Sequence, residues 1–328
     1  MTAVELSPTS AMPRGRSHWS MVRRRFLRNT WAVGGAILLF LIVAACFGSL
    51  PYWLAIDPHS TAVMRMEFQH TDVMRQAPTD QHLMGTDQLG RDLMGRMAVG
   101  GAISLFIGIA SALIAVVIGT AVGLTAGYAG GRTDAFLMRL VDMLYGLPYI
   151  LLVILMRIAL VPVGQKWLAL VAIGNWKITN PDRWANVLVL LAGIGAVSWL
   201  TMARVIRGQV LSLRDQPFVE AARAMGLRNH QILLRHILPN LVGPIAVYAT
   251  LIVPGAVLSE SFLSFLGLGI QPPLPSWGNL ASEGVATLST VKVYWWLIVW
   301  PCAGLSATLL CLNFVGDGLR DAFDPRGG

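Results

Sequence analysis

Six apolar stretches punctuate the chain, at about 31–50, 98–127, 139–161, 186–206, 241–265 and 295–316, separated by polar segments rich in glycine, proline and charge. A helix rising ~1.5 Å per residue needs ~20 apolar residues to cross ~30 Å of hydrocarbon, and each stretch meets that length. The pattern predicts an all-α membrane protein of six transmembrane helices. It divides the chain into an N-terminal tail (1–30), a first helix (31–50), a loop (51–97), a five-helix core (98–316) that carries a long polar connection (207–240), and a C-terminal tail (317–328).

The polar connection has a pattern of its own. Pro217 suits the first turn of a helix, with Asp215 upstream as an acceptor for free amides. Phe218, Ala222 and Met225 recur at helical spacing on one face, and Gly226 provides the left-handed residue that ends a helix. A second short helix follows, capped by Asn229, with Leu233, Leu234, Ile237 and Leu238 as its apolar side. Pro239 is expected to stop it before the fifth span. The segment reads as a helix-turn-helix hairpin at the membrane face.

Within the second span, Gly119, Gly123 and Gly127 repeat every four residues and predict a face for close helix packing. Upstream, Gly85-Thr86-Asp87 and Gly90-Arg91-Asp92 form a polar turn. It lacks the spacing of a calcium loop and the Lys-Ser/Thr of a phosphate loop, and reads as a capped, hydrogen-bonded start to that span.

Composition strengthens the membrane reading: 55% hydrophobic and 13% charged residues are incompatible with two soluble domains. The net charge of +8 is unevenly placed. Sixteen basic residues fall on the side of the termini and the hairpin, eight on the other side, and Arg157 lies within the third stretch. The positive-inside rule then puts both termini and the hairpin in the cytoplasm, so the charge reads as orientation and contact with anionic membrane lipid, with no nucleic acid partner. Val43-Ala44-Ala45-Cys46 resembles a lipoprotein cleavage site, but apolar residues continue to Leu50, and a retained first helix is the simpler account. Cys46, Cys302 and Cys311 all fall at apolar positions with no CxxC pair, which predicts buried thiols and no metal site.

Catalytic chemistry finds no foothold. None of Lys166, Lys177 and Lys292 is followed by Ser or Thr, which excludes a Walker loop, and HExxH and GxSxG are also absent, so no catalytic residue is assigned. His59, His70 and His82 are too widely spaced to predict a metal site. Two charges fall near the outer ends of spans. Arg157 reads as a snorkelling side chain, while Glu260 is equally compatible with snorkelling and with lining a transport path.

Glu220-Ala221-Ala222, then Gly226, then Ile237-Leu238-Pro239 resembles the EAA loop of the membrane subunits of bacterial ATP-binding-cassette importers. GTDQLGRD at 85–92, MRLVD at 138–142 with Pro148, ESFLSFLGLGIQPPLPSWG at 260–278 and NFVGDGLRDAFDPR at 313–326 resemble the oligopeptide and dipeptide permease branch. The likeness is greatest to the second of that branch's two membrane subunits. The resemblance covers about 22–326 and implies a type I importer transmembrane domain in the bacterial inner membrane. It further implies a second six-helix permease subunit, two ATPase subunits carrying ATP and Mg, a periplasmic or lipid-anchored binding protein, and a peptide substrate. No cofactor is implied in this chain. By the same resemblance Glu220, Ala221, Ala222, Arg223, Gly226, Ile237, Leu238 and Pro239 form the ATPase-coupling element. The segment from Gln165 to Val187, with Trp167, Trp176 and Trp184, is longer than that branch leads one to expect and suggests an outer segment with aromatic anchors. Relatives that carry nickel, murein peptides or antimicrobial peptides leave the substrate open. A secondary transporter would need several ionisable groups in mid-span, and the spans lack them.

Overall fold

The computed structural model describes residues 18–55, 71–170, 181–288 and 292–323. Twelve helices follow in order: α1 (His18–Arg28), α2 (Thr30–Gly48), α3 (Leu50–Ala55), α4 (Leu93–Ala129), α5 (Gly131–Tyr145), α6 (Tyr149–Leu170), α7 (Pro181–Arg214), α8 (Pro217–Ala224), α9 (Asn229–Ile232), α10 (Leu238–Phe265), α11 (Trp277–Val285) and α12 (Trp296–Phe323). Among the described residues six helical segments are long and apolar enough to cross a membrane: Thr30–Tyr52, Leu93–Ala129, Tyr149–Trp167, Trp184–Arg214, Asn229–Phe265 and Trp296–Phe323. Cys46 lies inside α2, whose helix runs on past it to Gly48. Cys46 and Cys311 are buried as expected, whereas Cys302 is exposed.

The glycine face of α4 is the main seam of the bundle. A Cβ on Gly119 would stand 2.5 Å from Met202 Cβ, and one on Gly123 would stand 2.7 Å from the Ala203 carbonyl oxygen. These distances are too short for any side chain, so α4 and α7 approach backbone to backbone, as small-residue faces permit. Along α4 three cores succeed one another. Leu124, Met202, Ile206 and Val210 pack with the hairpin residues Val219, Ala222, Ile232 and Ile237 at one end. Ile107, Leu190, Ile194 and Leu263 fill the middle. Leu93, Met97, Leu105, Trp277 and Trp296 close the opposite end.

Two boundaries differ from the hydrophobic pattern. The stretch 139–161 splits: α5 ends at the Gly146 cap, and the third span begins at Tyr149. The Leu147-Pro148 step explains the break, since proline disfavours helical geometry before it. α5 lies apart from the spans because its acids are committed to α7. Asp134 takes both Nε and Nη2 of Arg207, at 2.5 and 2.6 Å, and Asp142 takes Nη2 of Arg204 at 2.8 Å. The long segment from Gln165 to Val187 is also mostly helical, because α6 extends to Leu170 and α7 starts at Pro181. Trp176 and Asn180 lie outside the described residues.

Gly123→Leu should force α4 and α7 apart, costing of order 1–3 kcal/mol as overpacking does. Gly34→Ala, where a Cβ meets nothing within 4 Å, is the control. Thermal unfolding of the detergent-solubilised protein should show a lower midpoint for the first variant and no change for the second.

Candidate functional site

The segment that the sequence singles out folds as a hairpin at the end of the bundle where α4 and α7 finish. Pro217 occupies the first turn of α8, and Gln216, not Asp215, is its N-cap residue. Asp215 instead stands 3.5 Å from Arg214. α8 closes in a Schellman turn: the Gly226 amide donates to the Arg223 carbonyl at 2.9 Å, and the Leu227 amide to Ala222 at 3.2 Å. That geometry requires the left-handed region at its C′ position, and Gly226 has φ +78°.

The second helix differs from expectation in two ways. Its N-cap is Arg228, whose amide is accepted by Gln231 Oε1 at 3.1 Å, while Asn229 Oδ1 accepts from the Tyr128 hydroxyl at 3.1 Å. Pro239 does not stop the helix either. A π-helical turn at Leu233–Ile237 leads straight into α10, with proline at its first turn, and the helical path is continuous from Asn229 to Phe265. A π-turn shifts the hydrogen-bond register by one residue, which lets the chain pass a residue that cannot donate.

The buried face of the hairpin is Val219, Ala222, Ile232 and Ile237, none with any exposure. Each large apolar side chain sealed in this way contributes roughly 1.5–3 kcal/mol. Phe218 and Met225, expected beside Ala222, face out at 39% and 71% exposure, and Leu234 at 59%. Glu220, Ala221, Arg223, Gly226 and Pro239 are exposed, and Leu238 is half-buried. The coupling residues read from the sequence therefore divide into an anchoring set (Ala222, Ile237) and an outward set (Glu220, Ala221, Arg223, Gly226). The exposed apolar trio beside the outward set forms the surface.

Residues that the sequence reading left aside hold this platform in place. Arg214 Nη1 donates to the Gly127 carbonyl at 3.0 Å, tying α7 to the last turn of α4. Arg223 lies over the Tyr128 ring at 5.6 Å. Together with Thr125, Ala129, Asn229 and Leu233 these two line an open groove of about 450 Å³ between α4 and the hairpin. The Arg207 fork, donating its hydrogen bonds to Asp134, holds that carboxyl below the usual carboxylate range. Tyr128 and Asp134 looked like ordinary loop residues in the sequence and Asp142 like part of the third apolar stretch; an acid within that stretch was the available signal.

At the opposite end, the glycine-bearing turn is the expected capped start. Asp92 Oδ1 accepts from the Gly95 amide at 3.0 Å, and His82 Nδ1 sits 2.9 Å from Asp92 Oδ2. A buried ion network accompanies it: Asp87 receives Arg91 Nε and Arg96 Nη1, both at 2.6 Å, and Glu283 on α11 receives Arg96 Nη2 at 2.8 Å. Glu260 is wholly buried; Ser264 Oγ donates to it at 2.7 Å, with the Ser261, Ser104 and Ser276 hydroxyls also in its shell. Its carboxyl faces the interior of this subunit. Arg157 lies further from the outer span end than the sequence pattern placed it, because the third span runs on to Trp167 rather than ending near residue 161. Its guanidinium reaches Asn186 Oδ1 at 3.5 Å. Among the described residues no cluster of three or more His, Cys, Asp or Glu could hold a metal, and His59 and His70 lie outside them.

Residues 119–327 match the family model described as the binding-protein-dependent transport system inner membrane component, and residues 17–78 match the N-terminal transmembrane domain of oligopeptide transport permease C. The chain is 43% identical over 316 residues to the oligopeptide transport system permease protein OppC of Haemophilus influenzae, covering 95% of this chain and 90% of that one. It is 44% identical to the protein of the same name from Escherichia coli K12, covering 95% and 92%. Identity to the dipeptide transport system permease protein DppC of Bacillus subtilis is 40%, covering 92% and 84%. Among solved structures, a chain of the MetNI methionine ABC transporter in an inward-facing form aligns with TM-score 0.52 and 19% identity. The alignment covers 71% of this chain and 98% of that one, a likeness of fold.

Gly226→Val places a β-branched side chain at positive φ, costing of order 1–2 kcal/mol, whereas Gly226→Asn tolerates the turn. Hydrogen exchange at the Leu227 amide should quicken in the valine variant and stay near wild type in the asparagine variant, with both inserted normally.

Proposed function

The chain belongs to the family of binding-protein-dependent transport system inner membrane components, and from that premise we propose that it passes oligopeptides or dipeptides inward as one of two permease subunits of an ATP-driven importer. The observation that carries this reading is the hairpin itself, an EAA segment whose outward side chains are exposed while its inner face is welded to three spans. The peptide substrate follows the printed names of relatives that share over 40% of their residues across nearly the whole chain.

In this reading the hairpin end is cytoplasmic and both termini lie on that side of a bacterial inner membrane, as the excess of arginine favours. A second six-helix permease subunit completes the path, and a periplasmic or lipid-anchored binding protein delivers peptide at the opposite end. Two ATPase subunits, carrying ATP and Mg, dock under the hairpins. Phe218, Met225 and Leu234 supply apolar contact there, and Glu220, which has no side-chain partner among the described residues, offers a charge-assisted bond to a donor on the ATPase. The chain itself makes no step of ATP chemistry. Closure of the ATPases carries the two hairpins together, and because α9 runs without a break into α10, the displacement enters the spans directly. Glu260 supports the path from behind, fixing the end of α10, and need not touch substrate.

Glu220→Ala and Gly226→Val should reach the membrane at near-normal levels yet cut peptide uptake by the whole complex about tenfold or more, equivalent to ~1.4 kcal/mol of lost coupling. Stimulation of ATPase activity by loaded binding protein should fall in parallel. Normal uptake by both variants, with the ATPases still essential, would reject the hairpin as coupling element. Orientation is read separately. In a background with Cys302 replaced by alanine, Arg228→Cys should react with an impermeant thiol reagent only after spheroplasts are permeabilised, and Leu83→Cys from outside. The reverse pattern would overturn the topology.

A further inference from the structure

Several other charges set within or beside the spans are neutralised. Arg96 is clamped by Asp87 and Glu283, Arg204 by Asp142, Arg207 by Asp134, and the Glu260 carboxyl by serine hydroxyls. Arg157 has no counter-charge of this kind among the described residues. It sits within the Tyr149–Trp167 span, about 12 Å along the axis from Tyr149 at ~1.5 Å per residue. No carboxylate among the described residues lies within 4.0 Å of it. One contact, to Asn186 Oδ1, is at 3.5 Å, the outer limit of a hydrogen bond. A guanidinium has five N–H donors, so most of its capacity is unused.

Its placement argues against lipid as the partner. Tyr149, Val153, Arg157 and Gly164 follow one another at helical spacing on α6, and that stripe faces α7. Val153 is 2% exposed, and a Cβ on Gly164 would lie 3.6 Å from Ala185 Cβ. Leu155 and Ile158, at 57% and 69% exposure, carry the opposite face. Arg157 and Asn186 are both half-buried, so the guanidinium stands at the rim of the seam between α6 and α7 and can be reached from outside it. A charge in mid-span costs ~2.5–3.5 kcal/mol even by the mildest measure, and such residues face an interior or a water-filled path and pair with something. A guanidinium fork fits a carboxylate in bidentate fashion.

We propose that Arg157, with Asn186 beside it, binds the carboxylate of the passing substrate, which for a peptide with a free C-terminus is the terminal carboxylate. The proposal rests on the peptide-importer reading. The site selects for substrates that keep that negative charge, because a neutral C-terminus leaves the guanidinium unpaired.

The test uses the complete complex in proteoliposomes, with one peptide supplied either as the free acid or as its C-terminal amide, in purely zwitterionic vesicles and in vesicles containing anionic lipid. For each peptide, uptake by a variant is divided by uptake by the wild type, which cancels any preference of the binding protein. Arg157→Gln should lower uptake of the acid about tenfold more than that of the amide, through KM, in both vesicle types, and Arg157→Lys should restore part of the difference. Equal losses for the two peptides, or a loss confined to anionic vesicles, would overturn the proposal in favour of a structural or lipid contact. Asn186→Asp gives Arg157 an internal carboxylate and serves as the second variant should Arg157→Gln fail to assemble. It should depress uptake of the acid selectively, and unchanged selectivity would overturn the proposal. A wild-type complex that carries neither form defeats the peptide reading itself, whereas normal wild-type uptake with unaltered variants defeats only the role of Arg157.

Discussion

The contact on which the rest of the structure depends is the glycine face of α4 against α7. In hydrocarbon, apolar side chains gain nothing by leaving lipid for one another, so helices associate through close packing and polar ties. Gly119, Gly123 and Gly127 let α7 approach until Met202, Ala203, Ile206 and Val210 lie on the backbone of α4. The same residues of α7 then become the floor under Val219, Ala222 and Ile237. The hairpin is thus held by an extended close-packed seam, and its exposed surface is mounted on a part of the bundle with little room to yield.

Charge placement follows from the same low-dielectric setting. A buried charge without a partner costs several kcal/mol, so acids and bases near the spans come in sets. Asp134 and Asp142 steady the arginines at the hairpin end, and the Asp87–Arg91–Arg96–Glu283 network joins the loop before α4 to α11 at the other. Such networks add little net stability over apolar packing, but they fix which surfaces meet. Arg204 and Arg207 of α7 thereby latch α5 to the bundle.

Much of this was legible in the sequence. Six spans, the glycine seam, the capped turn at Asp92, the hairpin and the left-handed Gly226 all follow from local rules about length, small residues and backbone geometry. What was not legible depends on tertiary contacts. The 139–161 stretch is apolar enough to read as one span, yet the Leu147-Pro148 step and the ion pairs of Asp134 and Asp142 divert its first part into α5. Phe218 and Met225 have the spacing of a buried face, but Val219 takes the inward position because α8 meets α7 at that angle, and periodicity cannot supply an angle. Pro239 ends a helix by local rule, and only the π-turn before it, stabilised by burial of Ile232 and Ile237, lets the helix pass.

That π-turn joins the two ends of the molecule. From Asn229 to Phe265 the helix is 37 residues long, or ~55 Å, with its first turns fixed in the hairpin core. Its last turns are fixed just as firmly: Glu260 gathers Ser261 and Ser264, and Ser264 Oγ in turn accepts the Ile270 amide at 3.0 Å, holding the segment that leads to α11. Glu283 on α11 completes the chain of contacts into the ion network around Arg96. Pro244 and Pro254 lie between the two anchorages and remove backbone donors from the helix there. A rigid rod anchored at both ends transmits translation, and one weakened between its anchorages bends where it is weakest. The backbone of this helix is therefore most readily bent between Pro244 and Pro254, while the groups at both ends keep their partners.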